Sequence, residues 1–253
     1  LCAAIGDLHG QAAALAGLGG NLRELGQLDA ADDALGRAVD VFQRLGDDAG
    51  IGLACRLRGS VRLELGDHDD ALALLEVSLR GYRSLGSRRG EALTLRTLSL
   101  VHRSLGAYEE AERHAGQALE ILAGLGDPLM AAYAERARAK ARLRLGRTRE
   151  AEAELLGALD VCRAYRDRFG EALTLRTLGE CALADGRHHE AEKRLAVAVR
   201  LWDALELRLP RARTLRDLAA AREALGNTQE AAALRTEAMS VFTECGALER
   251  GEL

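Results

Sequence analysis

The sequence predicts an all-α fold, a solenoid of about six antiparallel helix pairs, and three observations predict it. A Leu-Gly step returns at a constant interval of 40 residues, as Leu25-Gly26, Leu65-Gly66, Leu105-Gly106, Leu145-Gly146 and Leu225-Gly226, with Asp185-Gly186 in the remaining slot. An Ala stands five positions after every one of those glycines: Ala31, Ala71, Ala111, Ala151, Ala191 and Ala231. A second series lies halfway between, at Ile5-Gly6, Leu45-Gly46, Leu85-Gly86, Leu125-Gly126 and Cys245-Gly246. A fixed period of this size marks stacked helical units that bury their apolar faces only against their neighbours.

Two Gly-marked breaks per period mean two helices per period, because a Gly just past a helical run supplies the left-handed residue that ends a helix at low cost. Each unit is therefore helix A, a tight turn, helix B and a looser turn. The units run 8–47, 48–87, 88–127, 128–167, 168–207 and 208–247, with a C-terminal tail over 248–253. Residues 1–7 read as the end of a preceding helix, and the chain, opening on Leu1, reads as a piece of a longer protein. Pro128 and Pro210 fall where a helix A starts, where a missing N–H does no harm.

The packing positions follow from the same count. Seven residues before each turn Gly, helix A carries a small group: Gly19, Gly59, Ser99, Ala139, Gly179 and Ala219. Helix B carries Ala38, Ser78, Ala118, Ala158, Ala198 and Ala238, each followed four residues later by Phe42, Tyr82, Leu122, Cys162, Trp202 or Phe242. Small and large groups at i and i+4 share one helical face, so they predict a core seam between units and leave the aromatics to packing. Unit 4 departs, with Glu135 and Arg138 where its neighbours are apolar and Tyr165-Arg166 in place of Leu-Gly; a local bend or looser packing is expected there.

These residues resemble the tetratricopeptide repeat (TPR). The likeness rests on Leu105-Gly106-Ala107-Tyr108-Glu109-Glu110-Ala111, preceded by Leu98-Ser99 and followed by Ala118, and it extends over the six units. The common TPR period is about 34 residues, so 40 implies longer helices; HEAT and armadillo repeats come closer in period but lack the Leu-Gly turn and its Ala. The resemblance implies a right-handed superhelix whose A helices line a concave groove. The long period and the Arg, Ala and Leu content are also similar to the C-terminal TPR regions of actinobacterial transcription regulators of the antibiotic-regulatory (SARP) and signalling-NTPase (STAND) types.

With the A helices placed on the groove by that resemblance, one column stands out. Ten residues before each turn Gly lie Ala16, Arg56, Arg96, Arg136, Arg176 and Arg216. A ladder of guanidinium groups suits carboxylates or phosphates, because Arg presents a rigid fork of donors. Arg103, Lys140 and Glu180 stand in neighbouring columns. The competing reading is internal pairing of a copied Arg, for example with Glu91 or Glu171 across a unit boundary.

Composition limits the function. The net charge of −4 argues against a nucleic-acid binder driven by overall charge, so any anion site is local. Cys2, Cys55, Cys162, Cys181 and Cys245 form no C-x-x-C pair and read as reduced thiols of a cytoplasmic protein. There is no apolar run of membrane-spanning length and no leader pattern. No Walker loop, no His pair at metal-ligand spacing and no Ser or Cys triad spacing occurs, so neither catalysis nor a cofactor is expected. Glu109-Glu110 and Asp69-Asp70 sit in the first turn of a helix B, where they favour the helix dipole.

The expected function is binding of an acidic or extended protein or peptide segment in an Arg-lined groove, as the regulatory part of a larger bacterial transcription regulator. Another domain of the same parent protein is one candidate partner. A small-ligand or signalling-peptide sensor and a self-associating scaffold are the alternatives.

Overall fold

The computed structural model describes residues 7–251 and holds twelve α-helices, with no strand among the described residues. They are α1 (Leu8–Glu24), α2 (Leu28–Leu45), α3 (Asp48–Leu65), α4 (His68–Ser84), α5 (Arg88–Ser104), α6 (Tyr108–Gly124), α7 (Pro128–Arg144), α8 (Thr148–Ala164), α9 (Arg168–Ala184), α10 (His188–Leu205), α11 (Arg208–Ala224) and α12 (Thr228–Glu244). A short 3-10 turn, Leu248–Gly251, follows. Each helix packs on the one before and the one after, and each odd-numbered helix also touches the next odd one, which makes the odd helices one wall of the solenoid.

Each helix ends by the same device. In the turn after α1 the Gly26 amide donates to Arg23 and the Gln27 amide to the Leu22 carbonyl, and this pair of bonds recurs at the ends of the other eleven helices. It requires one left-handed residue per turn. Ten of the twelve turns place Gly there, and Arg166 (φ 55°) and Glu206 (φ 57°) adopt the same conformation in the other two. Four odd helices start on an Asp cap: Asp7, Asp47, Asp127 and Asp167 accept from the amides of Gly10, Gly50, Met130 and Gly170 at 2.8 to 3.2 Å, each such cap contributing roughly 1 kcal/mol.

The small column of helix A is buried throughout, because helix B leans on it. A Cβ on Gly19, Gly59 or Gly179 would lie 2.5, 2.9 or 2.6 Å from Cγ of Leu35, Leu75 or Leu195. In the third pair the helix A residue is Ser99, and Ala115 stands where pairs 1, 2, 4 and 5 have Leu; the sixth has Arg235. The aromatic column packs forward between units: a Cβ on Gly50 or Gly90 would meet the ring of Phe42 or Tyr82 at 2.3 or 2.4 Å. Phe42, Tyr82, Leu122, Cys162, Trp202 and Phe242 are all buried, so they form the core seam.

One expectation needs correction. Unit 4 neither bends nor loosens: α7 runs unbroken with Ala132, Ala134, Ala137, Ala139 and Ala141 buried, Arg138 is paired with Glu154 of α8, and Arg166 takes over the left-handed turn. The C-terminal tail after 247 folds back onto the solenoid over its described length. Leu248 rests over Gly66 and Glu249 pairs with Arg213 at 2.5 Å. At the other end Asp7 caps α1, and the preceding helix expected before it falls on residues 1–6, outside the described ones.

The last pair returns to the first. Arg213 on α11 reaches Glu64 at the end of α3 at 3.2 Å, and a Cβ on Gly26 would stand 2.8 Å from Cys245 Sγ. Buried residues of α1 to α3 and of α11 and α12 belong to one core cluster. Six pairs thus complete a closed turn of superhelix around a central chamber.

The two non-Gly turns yield a prediction. A left-handed L-residue costs about 1–2 kcal/mol, partly offset by the greater chain entropy that Gly loses on folding. Glu206→Gly is expected to raise stability by about 0.5–1 kcal/mol, whereas Gly106→Ala lowers it; urea unfolding monitored by circular dichroism measures both.

Candidate functional site: an arginine-lined central chamber

The chamber encloses about 1190 Å³, and its wall comes mainly from the odd helices of all six pairs. It exceeds the ~300–1,000 Å³ of ordinary small-molecule clefts. Arg56, Arg96, Arg136, Arg176 and Arg216 all line it, as do Arg103 and Lys140. The lining holds ten Arg and Lys side chains against five carboxylates, a local excess of positive charge in a chain whose net charge is −4.

The wall divides into two regions. Toward units 5 and 6 the charges are paired. Arg176 donates to Asp217 at 2.6 Å and lies 3.4 Å from Glu180, Lys140 donates to Glu180 at 3.0 Å, and Arg213 lies between Glu64 and Glu249. Burial alone would lift the Glu180 carboxyl, yet Lys140, Arg176 and Arg103 around it hold it at about 2. Toward units 2 to 4 no acid among the described residues is paired with the ladder, and Glu64 at the end of α3 is taken by Arg23 and Arg213. The Nε atoms of Arg56, Arg96, Arg103 and Arg136 are buried without an acceptor, and these four side chains have no ion pair among the described residues.

Aromatic groups hold part of this region in place. The Arg96 guanidinium lies over the Tyr133 ring, 5.8 Å from its centre, and the Tyr133 hydroxyl donates to Asp167 at 2.7 Å. Burial and the neighbouring charges of Arg56, Arg136 and Arg23 push Arg96 down to about 9. Burial is also the main cause that brings Arg136 to about 10. Both remain charged at neutral pH, so the folded chain carries cations that an incoming anion would relieve.

Internal pairing exists, but in other columns. Glu91 is taken by Arg83 and Arg88, and Glu171 by Arg163, so neither reaches the ladder. Between units the regular bridges run from Asp32, Glu112 and Glu192 on B helices to Arg62, Arg142 and Arg222, the column four before the turn Gly. Within the ladder, Arg176 has the strong pairing that the competing reading anticipated, and its partner is Asp217.

The comparisons bear on this geometry. Residues 10–84, 52–123 and 130–204 match the tetratricopeptide repeat family. The chain belongs to that family. No curated protein sequence matches it. Among solved structures, this TPR chain is similar to a Rap protein in complex with competence and sporulation factor, at 14% identity and a TM-score of 0.70 over 90% of this chain and 73% of the other. NprR in complex with its cognate peptide NprX aligns at 18% identity and a TM-score of 0.70, over 84% and 63%. A STAND protein with a TPR sensor from Pyrococcus horikoshii aligns at 17% identity and a TM-score of 0.64, over 86% of this chain and 32% of that larger one. At these identities the likeness establishes the fold.

Counting from the turn Gly missed several residues of this TPR wall. Tyr133 and Arg213 stand thirteen before it, Asp217 nine, Arg23 three, and Glu24, Glu64 and Arg144 two. These offsets fall on the same stripe of helix A as the ladder, so extending the count by helical periodicity would have found them. Glu249, beyond the last turn, had no such signal. No group of three or more His, Cys, Asp or Glu side chains suited to a metal occurs among the described residues, and none of their helices is long and apolar enough to cross a membrane.

Two outcomes are expected for the free protein. Arg96→Met removes an unpaired cation and is predicted to raise the Tm, with a gain of about 1 kcal/mol; a fall would mark Arg96 as a structural residue. Glu180 has a folded pKa below its unfolded value, so its contribution is full above about pH 4.5 and is lost as pH falls toward 2. Wild type should therefore lose stability more steeply than Glu180→Gln over that range, measured by denaturant midpoints at stepped pH.

Proposed function

We propose that this TPR chain is a binding module that takes an acidic, extended protein or peptide segment into its central chamber, as the sensing part of a larger bacterial regulator, and has no catalysis of its own. The observation that carries this reading is the unpaired stretch Arg56, Arg96 and Arg136 inside the chamber. Each buried guanidinium whose Nε lacks an acceptor and whose charge meets no carboxylate raises the energy of the free protein, and a ligand carboxylate lowers it again, so binding of an anion is favoured over binding of a neutral chain.

The size of the chamber and the fold neighbour NprR, solved with its cognate peptide, support a peptide-sized occupant. The neighbouring STAND protein whose TPR part is a sensor supports a regulatory setting. A partner domain in the same parent protein, a cytoplasmic location and the absence of direct nucleic-acid contact complete the proposal.

Fluorescence anisotropy with labelled heptapeptides tests it. An acidic peptide is expected to bind, a basic isomer of equal length is not, and affinity should fall as salt rises. Arg56→Gln with Arg96→Gln should cost at least tenfold in affinity with helicity unchanged. Equal binding of the acidic and basic peptides would overturn the proposal.

A further inference from the structure

The unpaired guanidiniums are a row with a fixed interval, and that interval selects the conformation of what they bind. Arg56, Arg96 and Arg136 occupy equivalent positions on α3, α5 and α7. These three helices touch in succession, and packed helices lie about 8–10 Å apart. Arg96 is near enough to both of the others for their charges to depress its pKa. Arg136 is only 8% exposed, and its Nε has no acceptor. The row thus offers three anion sites at one-helix spacing along one wall, and a single compact anion spans at most one gap of it.

A peptide matches such a row when its side chains recur on one face at that spacing. In a β-strand, same-face residues recur every second position, at about 6.7 Å or its multiple of about 13 Å, and neither length fits. A polyproline II helix has three residues per turn and a rise of about 3.1 Å, so residues i, i+3 and i+6 share a face at intervals of about 9 Å. Its backbone makes no internal hydrogen bonds and brings little conformational entropy to lose, which suits an enclosed site. Tyr133, stacked under Arg96, lines this part of the chamber, and Tyr108 also belongs to the lining; both offer ring surface to proline.

Resting on the acidic-peptide reading above, we infer that the ligand of this chamber is a proline-rich segment in the polyproline II conformation with an acidic residue at every third position, its three carboxylates seated on Arg56, Arg96 and Arg136. The paired charges of units 5 and 6 leave the other end of the chamber near neutrality, so the acidic stretch belongs at units 2 to 4.

The test compares two isomeric heptapeptides with capped ends on the whole chain by calorimetry: Glu-Pro-Pro-Glu-Pro-Pro-Glu and Glu-Glu-Glu-Pro-Pro-Pro-Pro. The spaced isomer is expected to bind at least tenfold more tightly, and citrate, a compact trianion, more weakly than either. Replacing the central Glu of the spaced peptide by Gln, and separately Arg96→Gln, should each cost about as much as the two changes together, because both remove one contact. The ligand-side change leaves the protein untouched, so the result does not depend on how well the Arg96 variant folds. Equal affinity for the two isomers, citrate binding as tight as the spaced peptide, or additive effects of the two changes would overturn the register while leaving the acidic-peptide reading standing. Failure of every acidic peptide to bind would remove both.

Discussion

Every feature of this chain hangs on the left-handed residue that closes each helix. It reverses the chain within two or three residues, so consecutive helices lie against each other, and it recurs often enough to hold all twelve helices to nearly equal length. Equal lengths keep equivalent residues level from one pair to the next. The level stacking lets one small residue in helix A accept one large residue from helix B, as Gly19 accepts Leu35 and Gly179 accepts Leu195. It also aligns the arginines. A displaced turn would change the rotation of one helix and take its Arg out of the row.

The charge distribution separates a stabilising outer layer from an unsettled interior. On the B-helix side, Glu112 and Glu152 each take two arginines, and such bridges occur between most neighbouring units. Inside, the same residue type remains without carboxylates over units 2 to 4. A chain that pairs its arginines elsewhere and leaves these unpaired in a confined space has given up stability at one place, as binding sites commonly do. Closure of the superhelix strengthens the effect, because Arg213 meeting Glu64 confines the space and reduces the water that could screen the cations.

Much of this was legible in the one-dimensional pattern, and the parts that were not share a cause. The turn glycines, the buried small column and the Arg column all repeat, so each position is supported by its copies. Arg166 and Glu206 shared no residue type with the glycines they replace, yet the fold imposes the glycine conformation on both. Unit 4 looked irregular because Arg138 is polar where units 3 and 5 carry Leu98 and Leu178; its partner Glu154 lies on the next helix and made the exchange tolerable. The role of Glu249 depends on α11 being brought over the last turn, which no local pattern encodes.

By itself the sequence determined the helix pairs, their period, their packing faces and the column of arginines on helix A, since all of these follow from spacing along one chain. Tertiary structure alone decided that six pairs close on themselves, that Arg176 is satisfied by Asp217 while Arg56, Arg96 and Arg136 remain unpaired, and that the expected groove is a chamber. The physical reason is that curvature accumulates from small rotations between units, and whether an Arg meets a carboxylate depends on residues a whole repeat or more away.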